Sequence, residues 1–257
     1  MAMDIFQAVF LGVIEGITEF LPISSTGHLI LATEALGIPH TDFQKSFEII
    51  IQLGAILAVI SLYWKDLLNI EILKKLFIAF LPTAAVGLLL YSFIKTYLIG
   101  NPAVVVWALF LGGIALIVFE LLHREHETAT GDIQSMSYKQ AAFVGLAQAA
   151  AVVPGVSRSA ATILGGLLLG MKRTAIVEFS FLLAVPTMVA ATGLDIVKSA
   201  SVFSMDQFGL LAAGFVASFV VAMLAIKFLL GFVRSHSFIG FGIYRIVLAA
   251  LFFLFVL

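Results

Sequence analysis

The chain has 257 residues, 62% of them hydrophobic and 11% charged, with a mean hydropathy of +1.15. Soluble domains carry roughly 45–50% apolar residues, so this composition predicts a polytopic membrane protein. A net charge of −1 without a long basic run argues against nucleic acid as a partner, no polar stretch is long enough for a second, soluble domain, and the absence of cysteine excludes disulfides, thiolate nucleophiles and cysteine metal sites.

The N-terminus does not read as a signal peptide. Asp4 stands where a basic region is expected, and Glu15 and Glu19 stand where small residues would mark cleavage. Residues 5–36 are apolar on both sides of a Pro/Ser/Gly break, with arms of about 10–16 residues, shorter than the roughly 20 that a spanning helix needs. Three spans are predicted next, near 46–64, 76–98 and 102–122. The polar loop from His123 to Ser137 reads as a solvated connector, its His123 and His126 included, rather than as a metal site. Residues 140–170 then repeat the broken pattern, and three more spans are predicted near 175–194, 208–232 and 238–257.

Each half therefore has one re-entrant hairpin plus three transmembrane helices. The halves also share residues in order: Phe10-Leu11-Gly12 answers Phe143-Val144-Gly145, Pro22 answers Pro154, Ser25 answers Ser157 and Glu48 answers Glu178. Three spans per half is an odd number, so the second half must enter the bilayer from the opposite side. The expected fold is an all-α polytopic membrane protein with an inverted-topology repeat. It forms a single membrane domain over 1–257, with repeats of about 1–122 and 138–257. Lys65, Lys74, Lys75, Arg124, Lys139, Lys172, Arg173 and Arg234 fall on one side, with Lys227 close to it, and only Lys45, Lys95 and Lys198 on the other. The positive-inside rule then places both termini outside the cytoplasm.

Two polar clusters interrupt the oily chain where the backbone breaks. Ionisable groups flanked by apolar residues are the functional suspects in a membrane protein, and broken backbone at membrane depth is tolerated only around a buried site or a wet cavity. In the first cluster Glu15 and Glu19 are four apart and share a helix face. Two like charges there repel unless a divalent cation, a basic side chain or a proton on one carboxyl relieves them. Ser24, Ser25 and Thr26 offer three hydroxyls and candidate N-caps, and His28 is three residues past Ser25. A hydroxyl, an imidazole and two carboxylates contain the parts of an activated nucleophile with an acid–base partner.

In the second cluster Arg158 lies between Ser157 and Ser159, just after Pro154-Gly155, at the expected start of a helix. A helix N-terminus and a guanidinium fork both suit an oxyanion, phosphate above all. The same arginine is placed to neutralise Glu15 or Glu19 across the repeat interface. Elsewhere, Arg245 reads as snorkelling or structurally paired, Gln52 as interhelical glue, and Glu48 and Glu178 as facing the pocket or marking the interface. Glu120, Asp195 and Asp206 read as solvated span ends.

The motif from Glu15 to His28, the run from Pro154 to Thr162, and Glu178-Phe-Ser-Phe-Leu-Leu-Ala-Val-Pro186 together resemble the bacterial undecaprenyl-diphosphatase family, also known as bacitracin-resistance proteins. The likeness covers essentially the whole length. It implies an integral membrane phosphatase of the bacterial inner membrane, with its site facing the periplasmic or outer side, that removes the terminal phosphate of undecaprenyl diphosphate to recycle the lipid carrier of peptidoglycan synthesis. On this sequence the family motif implies Ser25 as nucleophile and Glu19 and His28 as proton carriers. Arg158 would bind the diphosphate together with Ser24, Thr26, Gly155, Ser157, Ser159 and Thr162. Glu15 and Glu19 would hold a divalent cation, Mg²⁺ or Ca²⁺. The implied partners are the polyprenyl diphosphate lipid and the bilayer, and a homodimer is compatible with the sequence. The rival reading is a secondary transporter or flippase of a prenyl phosphate lipid, since broken helices in inverted repeats are common in that class. Binding alone does not require the Glu/Ser/His trio.

Overall fold

The computed structural model describes residues 3–39, 41–98, 101–123, 129–199 and 207–256. Arg124, His126 and Asp206, weighed above, lie outside them, as do the side chains of Lys95, Asp195 and Lys198. Most of the described residues are helical: α1 (Ile5–Thr18), α2 (Ser25–Ala35), α3 (Asp42–Leu67), α4 (Ile70–Leu89), α5 (Tyr91–Phe93, running into a π turn over Ile94–Leu98), α6 (Pro102–Leu122), α7 (Tyr138–Gln148), α8 (Arg158–Leu168), α9 (Arg173–Ser199), α10 (Phe208–Phe232) and α11 (Ile239–Val256). Local chemistry sets many of the starts. Asp4 and Gln7 form a capping box on α1, as do Ser137 and Gln140 on α7, and Thr41, Asn69 and Asn101 cap α3, α4 and α6.

Among the described residues five helices are long and apolar enough to cross a membrane: α3, α4, α6, α9 over Arg173–Gly193, and α10. The sixth predicted span coincides with α11, which is apolar over its described residues. The span expected at 76–98 starts earlier and stops earlier, because Asn69 caps it and the helix gives way after Leu89 to α5 and the π turn. Both predicted breaks are present. The four flanking helices have 14, 11, 11 and 11 residues, which at 1.5 Å per residue reach about 17–21 Å, short of the roughly 30 Å hydrocarbon core.

The packing crosses between halves. α1 lies along α10 and α7 lies along α4, while α3 packs on α10 and α9 and α6 on α11. Small residues let the backbones close. A Cβ at Gly12 would sit 2.3 Å from the Gly214 carbonyl oxygen, and one at Gly145 would sit 1.9 Å from that of Ala79. The polar loop is more than a solvated connector over its described part. Ile133 and Met136 are buried, and Lys75, itself buried, donates to the carbonyls of Ile133 and Gln134 at 3.1 and 2.6 Å. Glu120 is also not solvated: its side chain is 3% exposed, is forked by Arg173 and accepts the Phe238 N–H at 3.0 Å.

Candidate active site

The two breaks meet. Ser24 precedes α2 with φ 72°, and Ser157 precedes α8 with φ 70°; they are the non-glycine residues of positive φ among those described. A β-carbon in this region is strained and persists only where the surroundings fix it. Both serines occupy the N-cap position, so Ser24, rather than Ser25, is the structural counterpart of Ser157. Ser25 therefore answers Arg158, each being the first residue of its helix.

Glu19, at the end of α1, joins those two residues. Its Oε2 accepts the Ser25 hydroxyl at 2.6 Å and its Oε1 accepts Arg158 Nη2 at 2.8 Å. The hydroxyl bond has the length of a charge-assisted O–H···O⁻ contact, which leaves the Ser25 Oγ lone pairs free while its proton lies against a carboxylate. Arg158 also donates to the Ser180 carbonyl at 2.8 Å, and its guanidinium lies 5.7 Å from the centre of the buried Phe20 ring. The side-chain exposures of Arg158 and Glu19 are 12% and 7%. The arginine's expected neutralising role is thus occupied by Glu19, and one face of the fork still borders open space.

That space is a cavity of about 1050 Å³. Glu19, Ser24, Ser25, Thr26, Gly155, Ser157 and Arg158 line its polar part, while Ile49, Ala84, Leu88, Met188 and Ala191 supply aliphatic wall and Phe80 an aromatic face. A polar head and an oily tail can share such a pocket. Gln52, expected as interhelical glue, lines it too, as does Gln148, whose amide donates to Thr83 and Thr187 at 2.9 and 3.1 Å. Sequence reasoning missed this amide and its two threonines. Each threonine directly follows a proline inside a helix, Pro82 and Pro186, and that pattern was the available signal. A second cavity of about 470 Å³, lined by Arg173, Arg234 and His236 among others, shares no residue with the first.

The remaining candidates separate from the polar part. Ser159 is fully buried and donates to the Leu21 carbonyl at 2.9 Å, tying one break to the other. Thr162 is also fully buried; its hydroxyl meets Ser180 Oγ at 2.6 Å and the carbonyls of Arg158 and Ser159 at 3.0 Å. Neither lines the cavity. His28 is not drawn to Ser25. Its Nδ1 meets the Ser24 carbonyl at 2.7 Å, and since a carbonyl only accepts, Nδ1 carries the proton and Nε2 accepts from the Tyr244 hydroxyl, also at 2.7 Å. The His28 and Tyr244 rings stack at 5.5 Å. Glu48, engaged by Gln44, and half-buried Glu178 are outside the cavity lining.

Glu15 is wholly buried, and neither oxygen of its carboxylate meets a hydrogen-bond donor. Among the described residues no group of three His, Asp or Glu side chains is arranged to hold a metal. The Glu15 carboxyl, beside Glu19 and without a donor, offers oxygens of the kind a hard cation takes. Like Ser159 and Thr162, however, it is fully buried and outside the cavity lining, so other oxygens would have to complete the shell.

Comparison with known proteins adds to this geometry. Residues 8–251 match the family model described as "Bacitracin resistance protein BacA". The undecaprenyl-diphosphatase of Wolinella succinogenes is 50% identical over 251 residues, covering 97% of each chain. That of Aquifex aeolicus is 52% identical over 257 residues, covering 98% of this chain and all of the other. That of Campylobacter jejuni is 47% identical over 253 residues, covering 98% and 94%.

Proposed function

Because the chain belongs to the bacitracin resistance protein BacA family, we infer that it is an undecaprenyl-diphosphatase, a multi-pass membrane enzyme that hydrolyses undecaprenyl diphosphate to undecaprenyl phosphate and inorganic phosphate. The observation that carries the assignment of roles is the shared carboxylate, with Ser25 and Arg158 both held on Glu19. Glu19 takes the Ser25 proton as Oγ attacks the terminal phosphorus, giving a phosphoserine that water then hydrolyses to inorganic phosphate and free Ser25. In the alternative route a water oriented by Oγ attacks directly, its proton passing through Oγ to Glu19. The bond from phosphorus to the bridging oxygen breaks, and the electron pair leaves on undecaprenyl phosphate.

Arg158 holds the equatorial phosphate oxygens and stabilises the charge that develops on them. The start of α2 assists. The Ser24 side chain does not cap it, so its first N–H groups and the positive end of its dipole are available to an anion. His28 keeps the Ser24 carbonyl in place and acts from behind the reacting atoms. Glu15 and Glu19 would hold Mg²⁺ or Ca²⁺, which when bound would neutralise phosphate oxygens. The aliphatic wall takes the prenyl chain next to the head group.

The test is inorganic phosphate release from a prenyl diphosphate by the purified protein, with and without EDTA, beside Ser25→Ala. Release that needs metal and is lost in the variant is expected. Folded protein that releases none would shift the assignment to lipid transport, while EDTA-resistant release would remove the cation alone.

The two breaks and their flanking helices read as re-entrant hairpins of an inverted repeat. Two features support this. The pairing of α1 with α10 is answered by that of α7 with α4, and Ser24 and Ser157 share a backbone conformation. The lysine and arginine bias then turns both termini and the first hairpin to the outer face. The chain lacks cysteine, so orientation is accessible to single-cysteine labelling. An impermeant maleimide should reach Lys45→Cys in intact cells and Lys65→Cys only after permeabilisation; the opposite pattern reverses the topology.

A further inference from the structure

Arg245 of α11 is fully buried and, among the described residues, forms no ion pair. Its partners are backbone carbonyls. Nε donates to Leu109 at 3.3 Å, Nη1 to Pro22 at 3.3 Å and Val156 at 3.0 Å, and Nη2 to Ala108 at 2.9 Å and Gly155 at 3.0 Å. A guanidinium has five N–H donors in a rigid fork, and here each has an acceptor. Two acceptors belong to α6. The other three belong to the breaks: Pro22 stands two residues before Ser24, and Gly155 and Val156 immediately precede Ser157. The fork therefore grips the peptides leading into the two strained serines and, one residue later, into Ser25 and Arg158.

We propose that Arg245 is a positioning residue for the Ser25–Glu19–Arg158 constellation, its five-donor fork fixing the two helix starts against each other and against α6. Ser159 also ties the breaks, through its single hydrogen bond to the Leu21 carbonyl. Positive φ at a residue with a β-carbon needs surroundings that over-determine it, and carbonyls clamped just upstream provide that. Lysine preserves the charge but offers three donors on a point cation, so it cannot reproduce the fork. Arg245 lies outside the cavity lining, so it acts on the reaction through the groups it places. The proposal rests on the reading of Ser25, Glu19 and Arg158 as the reacting groups.

Gly112 of α6 gives a route to the fork that leaves Arg245 in place. A Cβ there would lie 2.1 Å from Nη2 and 2.8 Å from Cζ, so Gly112→Ala must push the guanidinium aside. Steady-state phosphate release is measured for wild type, Arg245→Lys and Gly112→Ala, each alone and combined with Glu19→Gln, and normalised to monodisperse folded protein. Misplacement by about 1 Å can cost 10²-fold in rate, so each single variant is expected to lower kcat by about 10- to 100-fold with KM moved less than about threefold. In the Glu19→Gln background, where there is no intact constellation to align, the further loss should shrink to less than about threefold. Wild-type kcat in folded Arg245→Lys and Gly112→Ala overturns the clamp, as does an undiminished loss in the Glu19→Gln background, the mark of a general structural role. If Arg245→Lys does not fold, Gly112→Ala decides. Should Glu19→Gln itself turn over like wild type, the reading of the site fails first and the clamp falls with it.

Discussion

Ser24 and Ser157 take up nearly the same backbone conformation, φ 72° and 70°, at the starts of two 11-residue helices, and their side chains then diverge. Ser157 accepts the Ala160 N–H and caps α8, whereas Ser24 makes no such bond to α2. The residue that follows diverges too, a hydroxyl at Ser25 and a cation at Arg158, both resting on Glu19. One backbone device thus aims two helix starts at a shared point. The first start is left without a side-chain cap and presents a hydroxyl, and the second is closed by its own cap and presents a guanidinium; on the proposed reading these are the attacking group and the charge that holds the ligand.

The largest effect expected from breaking this division is at Arg158. Arg158→Ala should lower kcat/KM by at least about 10³-fold, and Arg158→Lys by about 10²-fold because the planar fork is lost. Near-normal phosphate release by folded Arg158→Ala would remove the assigned role. Next come Ser25→Ala and Glu19→Gln, each expected to cost about 10²–10⁴-fold in kcat, the range of a lost proton-transfer partner. Since the two act as a unit, the double variant should be little worse than either alone. Multiplying losses in a kinetic cycle would separate them. The smallest effect sharpens the comparison of the two serines. Ser157→Ala should lower stability by about 1 kcal/mol through loss of its cap, and Ser24→Ala should leave it nearly unchanged. Equal shifts of the two thermal midpoints would mean that the caps do not differ.

Much of the fold was legible because a bilayer imposes length and polarity on every span. The stretches near 102–122 and 208–232 coincide with α6 and α10. The span predicted near 76–98 is present as α4 with both ends shifted, since they depend on the Asn69 cap and on the π turn after α5 rather than on hydropathy. The site was legible to the extent that it is local. Glu19, Ser25 and Arg158 stood out as polar groups in an apolar chain, and they do converge. Ser159 and Thr162 belong to the same motif but face inward, because on α8 only one side borders the cavity. Glu120 was read as solvated because Arg173, its partner, lies 53 positions away.

The sequence by itself determined that the chain is a helical membrane protein, where its backbone breaks and which polar groups those breaks carry. These follow from local physics, namely the cost of charge in hydrocarbon, the reach of a helix and the conformations of proline and glycine. Only the tertiary structure decided that Ser24 rather than Ser25 answers Ser157, that His28 bonds the Ser24 carbonyl and Tyr244, and that Arg245 gathers five carbonyls instead of a carboxylate. Apart from the His28 bond to Ser24 at the start of α2, those pairings join residues on different elements, up to 223 positions apart. A guanidinium is satisfied by whichever acceptors the packing of helices brings within 3.3 Å, and that packing is a property of the whole molecule.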